Sequence, residues 1–325
     1  MTLAERFDAL PRPSRQDCFS LESGDERVRV GRSFEGHPVL LFAFAQDGTG
    51  GAARRLANIA YAPPTPVEVV ANDGNRRVER LAILRCIALD RALREYFFRV
   101  AGLVLFRGEA AVSEPEFEAA FDSLVSLFSA LQQPARRSLQ GLWGELAIIA
   151  WSATCADAIS AWHSGPRALH DFSGDHFRLE VKSTTRPVRE HTFILDQLTA
   201  LPHGETLIAS LMLSEKNSGS SVNDLLEVIS SREGVGRKQV LRVQSIVAES
   251  LGVGWEDAGE LRFDLNAARQ SLLVFSVGSI PCPPSPLPPQ VKDVRFVADL
   301  SSAPALSLEV TRENSRFFAA LLPRP

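Results

Sequence analysis

At 325 residues, with 45% hydrophobic and 23% charged side chains, the chain has the make-up of a folded α/β-sized protein with room for two domains or one large elaborated domain. Its net charge of −4 excludes a protein that coats nucleic acid by bulk electrostatics, so any such contact has to come from a local basic surface, a metal ion or a partner. No apolar run approaches the ~20 residues that cross a bilayer, and residues 1–8 carry Glu5 and Asp8 without a hydrophobic block, so the expectation is a cytoplasmic protein with no membrane attachment.

Residues 1–112 read as a mixed α/β region rich in short strands. Runs at 27–31, 38–45 and 67–71 are β-prone and separated by Gly, Pro, Asn and Asp, and 81–88 extends the sheet. A helix follows over 90–106, with Leu93, Phe97, Val100, Ala101 and Val104 at helical spacing. This region shows no catalytic constellation, and His37 reads as structural. Ser113 with Glu116 three residues on is a capping-box signature. It opens a helix whose apolar stripe runs through Phe117, Phe121, Leu124, Leu127, Phe128 and Leu131 and breaks at Gln132-Gln133-Pro134.

A second helix runs from there to about Ser152 and contains GLWGELAIIAW. Leu142, Leu146 and Ile149 share a face, and Glu145 borders it, where a carboxylate is costly unless something pairs with it. Gly141 and Gly144 each cost about 1 kcal/mol relative to alanine inside a helix, which points to a close backbone approach. Glu145 reads as an acidic group reaching a site; a partly exposed glutamate on an amphipathic helix is the plain alternative.

The stretch 169–184, LHDFSGDHFRLEVKST, carries the chemistry. Phe177, Leu179 and Val181 alternate with Arg178, Glu180, Lys182 and Thr184, the period of a half-buried strand, and this sets Glu180 and Lys182 on one face roughly 7 Å apart. A turn at Gly174 and Asp175 makes the run a hairpin, with Asp171 opposite Arg178 and diagonal to Glu180. Neighbouring carboxylates need a cation, a shared proton or solvent, and Mg²⁺ takes such ligands together with water and phosphate oxygens. Asp171 followed by Glu180-x-Lys182 is a workable set for metal-assisted phosphodiester cleavage, while a solvated hairpin face is the plain alternative.

Strands at 168–172 and 192–195, a short helical turn near Asp196 and Gln197, and an apolar strand at 206–213 complete the order helix, three strands, helix, strand. Beyond 214, helices are expected at 222–231 and 237–251. Their Arg232, Arg237, Lys238 and Arg242 read either as phosphate contacts or as a solvated face. Arg186, Arg189 and His191 stand closer to the site. Strands follow at 261–264, 271–277 and 291–300, with a proline-rich connector at 281–289 and an apolar terminus at 317–322. Three regions result, 1–112, 113–214 and 215–325. Cys18, Cys86, Cys155 and Cys282 lack paired spacing and read as reduced thiols.

Taken together, GLWGEL (141–146), the WHSGP loop (162–166) with HDF (170–172), EVKST (180–184) and Asp196-Gln197-Leu198 resemble the PD-(D/E)XK motif protein family, a restriction-endonuclease-like branch found in bacterial restriction and phage-defence loci. The resemblance implies a restriction-endonuclease-like core at 113–214 with a β-rich N-terminal region and an α+β C-terminal extension. It implies a Mg²⁺-dependent DNA endonuclease, with Mn²⁺ as a substitute. Asp171, Glu180, Lys182 and Glu145 are its catalytic residues, Asp171, Glu180, Val181 and Glu145 its metal set, and Thr184, Arg186, Arg189 and Gln197 its substrate contacts. DNA is the implied partner, with an ATPase or methyltransferase of a defence system alongside, and a double-strand cut from one site per chain calls for a homodimer. The sequence departs from the family pattern with His170 in place of proline before Asp171 and Leu201 where an aromatic often follows the glutamine. Two further readings stand: a catalytically silent module that binds DNA or proteins, and an unrelated α/β enzyme in which Asp171 and Glu180 face opposite sides of the sheet.

Overall fold

The helix carrying the apolar stripe of residues 117–131 stops before Pro134, and the fold divides there into the units Met1–Gln132 and Gln133–Pro325. The computed structural model describes residues 3–16, 18–21, 28–44, 51–56, 58–71, 74–88, 91–105, 113–163, 168–198, 204–284, 287–288, 290 and 291–324.

The first unit contains α1 (Leu3–Asp8), β1 (Cys18–Leu21), β2 (Val28–Arg32), β3 (Pro38–Phe42), β4 (Arg54–Arg55), β5 (Ile59–Ala71), β6 (Arg76–Cys86), α2 (Arg91–Leu105) and α3 (Glu114–Ala130). Its strands run in the order β1-β2-β3-β6-β5-β4, and β1 also pairs with β5 in parallel, so five strands close into a barrel. Phe19, Leu21, Val39, Leu41, Val67, Val69, Leu81 and Ile83 form one of its buried clusters. The β5–β6 hairpin is much longer than the runs at 67–71 and 81–88 suggest. Pro63 and Pro64 fall where the pairing shifts register between Ala62 and Thr65, a bulge that spares their missing N–H groups. Helix α3 lays Phe117 on Phe42 and Tyr61, with centroids 4.9 and 4.6 Å apart, and so packs with the barrel instead of opening a new domain at 113. The side chain of Glu116, and with it the expected capping box, lies outside the described residues.

The second unit begins with α4 (Leu139–Trp151), α5 (Cys155–Ala161), β7 (Phe172–Ser173), β8 (Phe177–Thr184), β9 (Glu190–Ile194) and a 3-10 turn at Leu195–Leu198. It continues with β10 (Glu205–Met212), β11 (Glu215–Ser220), α6 (Val222–Ser231), α7 (Arg237–Leu251), α8 (Leu265–Ser271), β12 (Leu273–Ser276), β13 (Arg295–Asp299), α9 (Leu308–Asn314) and α10 (Arg316–Leu321). A four-stranded sheet has the order β12-β10-β8-β7, with β10 parallel to β8 and the outer strands antiparallel. The expected third strand corresponds to β9, but β9 leaves this sheet and pairs with β13 in a separate ribbon. The reason is occupancy: the apolar β10, buried along nearly all its length, takes the position beside β8.

Residues past 214 do not form a separate extension, because α6 packs on α4 and α10 packs on α4 and α5. The apolar terminus docks through Phe317 and Phe318, whose rings lie 5.8 and 5.3 Å from that of Phe177. Residues 261–264 form only isolated bridges at Phe263, and residues 285, 286 and 289 of the proline-rich connector lie outside the described residues. All four cysteines are free thiols, three of them buried. Among the described residues no helix is long and apolar enough to cross a membrane.

Candidate active site

Helix α4 is capped by Ser138, whose Oγ accepts the Gly141 N–H at 3.1 Å, and every residue from Leu142 to Ala150 is buried. Its first turn is clamped to β8, since Gln140 donates to the Ser183 carbonyl at 2.7 Å and Ser183 Oγ donates to the Gln140 carbonyl at 3.1 Å. Gly144 permits this closeness, because a Cβ there would stand 3.3 Å from that of Ser183. Glu145 follows directly and is carried against the hairpin.

The hairpin register pairs Phe172 with Leu179 and Ser173 with Arg178, and Gly174 donates to the Phe177 carbonyl, so the turn falls at Asp175 and His176. That is two residues away from the pairing of Asp171 with Arg178 expected from the sequence. A slip of two preserves side-chain parity where a slip of one reverses it. Asp171 therefore keeps the side of Glu180, and both line one cleft, which removes the reading that sets them on opposite faces. Arg178 instead turns back to the carbonyls of Gly174 and Phe177.

Glu145, Asp171 and Glu180 are all buried. Glu145 Oε1 accepts from Arg137 at 2.6 Å, and Oε2 accepts from Trp162 Nε1 at 2.8 Å and faces His163 Nε2 at 2.7 Å. Burial pushes its carboxyl up, but His163, Arg137 and Trp162 outweigh burial and hold it below the usual range. Asp171 Oδ1 takes Arg137 at 3.2 Å, and Oδ2 accepts the Val181 N–H at 2.8 Å. Burial, then the charges of Glu145 and Glu180, raise the Asp171 carboxyl well above its ordinary value. Glu180 Oε1 accepts from Lys182 Nζ and from Gln197 Nε2, both at 2.7 Å, while its Oε2 is buried with no hydrogen-bond partner.

Three carboxylates thus face two permanent cations, Arg137 and Lys182, with one carboxylate oxygen orphaned. Ligand atoms of Glu145, His163 and Asp171 all lie within 4.8 Å of one another. The carboxylate oxygens suit Mg²⁺ or Mn²⁺, and the imidazole beside them adds a donor that suits Mn²⁺ better than Mg²⁺, so the residues present fit the group. The cleft over them, about 500 Å³, is also lined by Gln140, Val181, Lys182, Thr184, Arg186 and His191.

The other residues singled out by the sequence separate by position. Thr184 lines the cleft and its Oγ accepts the Arg186 N–H, while the exposed Arg186 pairs with Glu190 at 3.0 Å. Arg189 does not face substrate: its buried guanidinium donates to the Ser210 carbonyl and Oγ and to the Ser271 carbonyl, at 2.7 to 2.9 Å. Gln197 is not at the surface either. It accepts Lys182 Nζ on Oε1 at 3.2 Å and steadies Glu180 from behind. Arg242, read as a phosphate contact or a solvated charge, holds the carbonyls of Ile159, Trp162 and His163. With the Asp171 carbonyl on the His163 N–H, these bonds fix His163 in a left-handed backbone with φ 42°, an uncommon state for a residue with a Cβ. Arg137 carries no pattern in the sequence that marks it, and His163 is legible only as part of the WHSGP block.

A family model described as "Putative PD-(D/E)XK family member, (DUF4420)" matches residues 3–301. No curated protein and no solved structure gives a significant match. With nearly the whole chain covered, the protein belongs to this PD-(D/E)XK family, DUF4420.

Proposed function

We propose that this protein is a metal-dependent nuclease built on a restriction-endonuclease-like core, hydrolysing phosphodiester bonds in DNA with Mg²⁺, or Mn²⁺ as a substitute. The observation that carries the reading is the convergence of buried Glu145, Asp171 and Glu180 from a helix and a hairpin on one open cleft beside Lys182, with Glu180 Oε2 left unpartnered. Family membership supports it independently. Glu145, Asp171 and Glu180 are the residues that would hold the ion, with His163 as a nitrogen donor. A bound divalent ion supplies Lewis-acid polarisation of the phosphate and a more acidic water.

The chain's own residues do the rest. The Val181 N–H orients Asp171, and Trp162 with His163 orients Glu145. Lys182 is held at one position by Glu180 and Gln197, where its ammonium lies near an attacking water and offsets negative charge growing on phosphorus. Arg186 at the cleft wall is available to a backbone phosphate. A role in restriction or phage defence, alongside an ATPase or methyltransferase and as a homodimer, belongs to this reading through the family resemblance.

The second reading, a silent DNA- or protein-binding module, is favoured by one observation: Arg137 already pairs with both Glu145 and Asp171. Supercoiled plasmid incubated with the protein and Mg²⁺, Mn²⁺ or EDTA separates them. The parent nicks or linearises the plasmid only with metal, and Lys182→Ala lowers the rate at least ~100-fold. Equal cutting by parent and variant removes Lys182 from the mechanism, and DNA binding without any cutting by the parent leaves the silent module.

A further inference from the structure

Residues 1–132 contain no lysine, so their permanent cations are all arginines, and several of these gather at one end of the barrel. The turn between β2 and β3, residues 33–37, forms that end. Gly36 takes φ +87° there with the Arg12 guanidinium lying against it, so that a Cβ would stand 3.0 Å from Arg12 Nη2. Arg85, on the last turn of pairing in β6, reaches Glu35 at 3.7 Å. The register sets Arg85 opposite Ala60 and Ala60 opposite Arg55, so two strand spacings, roughly 10 Å, separate the two arginines. From α2, Arg94 lines a cavity of about 170 Å³ with Phe7 and Asp8, and Arg32 stacks 4.1 Å over that same Phe7 ring.

The positive field is felt locally. Burial, then Arg85, lower the His37 ring below the usual histidine range, with Arg94 and Arg55 adding to the effect and only Glu35 opposing it. Burial lowers Arg32 too; Asp8 works against that, while Arg12 and Arg94 reinforce it. With Arg91, which also lines that cavity, six guanidiniums thus face three carboxylates, Asp8, Glu35 and Glu95, the last of them paired with Arg91. Among the described residues Arg12, Arg55 and Arg94 hold no ion pair. Phe34, at the tip of the same turn, is 45% exposed.

A planar guanidinium matches phosphate oxygens two at a time, and several of them spread over one surface of an otherwise acidic protein match a polyanion, not a single phosphate. An exposed aromatic among them is what an unpaired base stacks on, a contact a duplex does not offer. We propose that this end of the barrel binds single-stranded nucleic acid, its arginines on the phosphates and Phe34 under a base. The proposal stands on the first unit alone and does not require the nuclease reading.

The test uses the full chain in EDTA, so that no metal-dependent cutting intervenes, and follows fluorescence anisotropy of labelled oligo(dT) of about 20 nucleotides, longer than a small barrel covers. Arg55→Glu with Arg94→Glu is expected to bind at least tenfold more weakly and to flatten the log–log salt slope by about 1.4, or ~0.7 per lost phosphate contact. Phe34→Ala is expected to bind about tenfold more weakly with the slope unchanged. Since Arg55 and Arg94 hold no ion pair, an unchanged melting temperature confirms that the double variant folds. Oligo(rU) tells RNA from DNA as the strand bound. Binding equal to the parent in both patch variants, a loss seen only on Arg186→Glu, or a duplex bound as tightly as oligo(dT) with Phe34→Ala silent overturns the proposal.

Discussion

Arg137 is the residue whose replacement says most about the site. Its Nη1 lies 2.6 Å from Glu145 and 3.2 Å from Asp171, whose side chains are 5% and 7% exposed, while its own is 35% exposed. Stripping one partner from a fully buried ion pair costs about 3–5 kcal/mol. Here water reaches about a third of the Arg137 side chain and His163 remains on Glu145, so Arg137→Met is expected to cost about 2 kcal/mol. For a unit of this size that lowers Tm by about 4–8 °C in EDTA. A divalent ion and the guanidinium contend for the same oxygens. Mn²⁺ is therefore expected to restore more of the variant's stability than it adds to the parent's, approaching about 2.7 kcal/mol at a hundredfold excess over Kd. Calorimetric melts of both proteins with EDTA and with Mn²⁺ measure it. If the variant melts with the parent in EDTA, or if Mn²⁺ raises the two melting temperatures equally, the carboxylate pair is not a cation site contested by Arg137.

Gln197→Leu removes a hydrogen bond from buried Glu180 and the carbonyl that holds Lys182; a loss of about 1–3 kcal/mol is expected in urea titrations, together with slower cleavage. Arg189→Met is expected to cost stability with no change in DNA affinity, since its buried guanidinium makes three hydrogen bonds to Ser210 and Ser271; weaker DNA binding at unchanged Tm would return it to the cleft. Burial, Arg189 and Lys182 lower His191 to about 4. Its folded pKa lies below the unfolded value of ~6.5, so the unfolded chain takes up the proton first. Stability is full above pH ~6.5 and falls by about 3 kcal/mol as pH drops to 4. His191→Gln should flatten that part of the pH–stability curve, and identical curves for the two proteins would show that His191 is not responsible.

Local chemistry was the legible part of this chain. Alternation in residues 177–184 marks β8 because a strand exposes its period directly, and the apolar run of α4 with its two glycines announces a buried helix pressed on a neighbour. Pairing was less legible. Nothing in the composition of β9 says that it leaves β8 for β13, because that choice depends on which strand competes for the edge, and β10 wins it. Charge roles were harder still. Arg186, Arg189 and Arg242 look alike in sequence, yet one is exposed at the cleft, one ties β10 to the last residue of α8, and one holds the loop bearing His163. The decisive difference is what each side chain can reach after folding, as it is for Arg137, which lies outside every motif block.

Parallel closure of the barrel sets a condition on how the first unit comes together. Cys18 aligns with Glu68 and Leu21 with Ala71, so a four-residue strand near the start of the chain finds its place only after the long hairpin has been made. Contacts this distant in sequence slow folding. Until β1 arrives, β2 and β5 each present an open row of amide and carbonyl groups, a template on which another copy of the chain can add a strand. The short segment Cys18–Leu21 is in this sense the guard that keeps nascent molecules from pairing with one another.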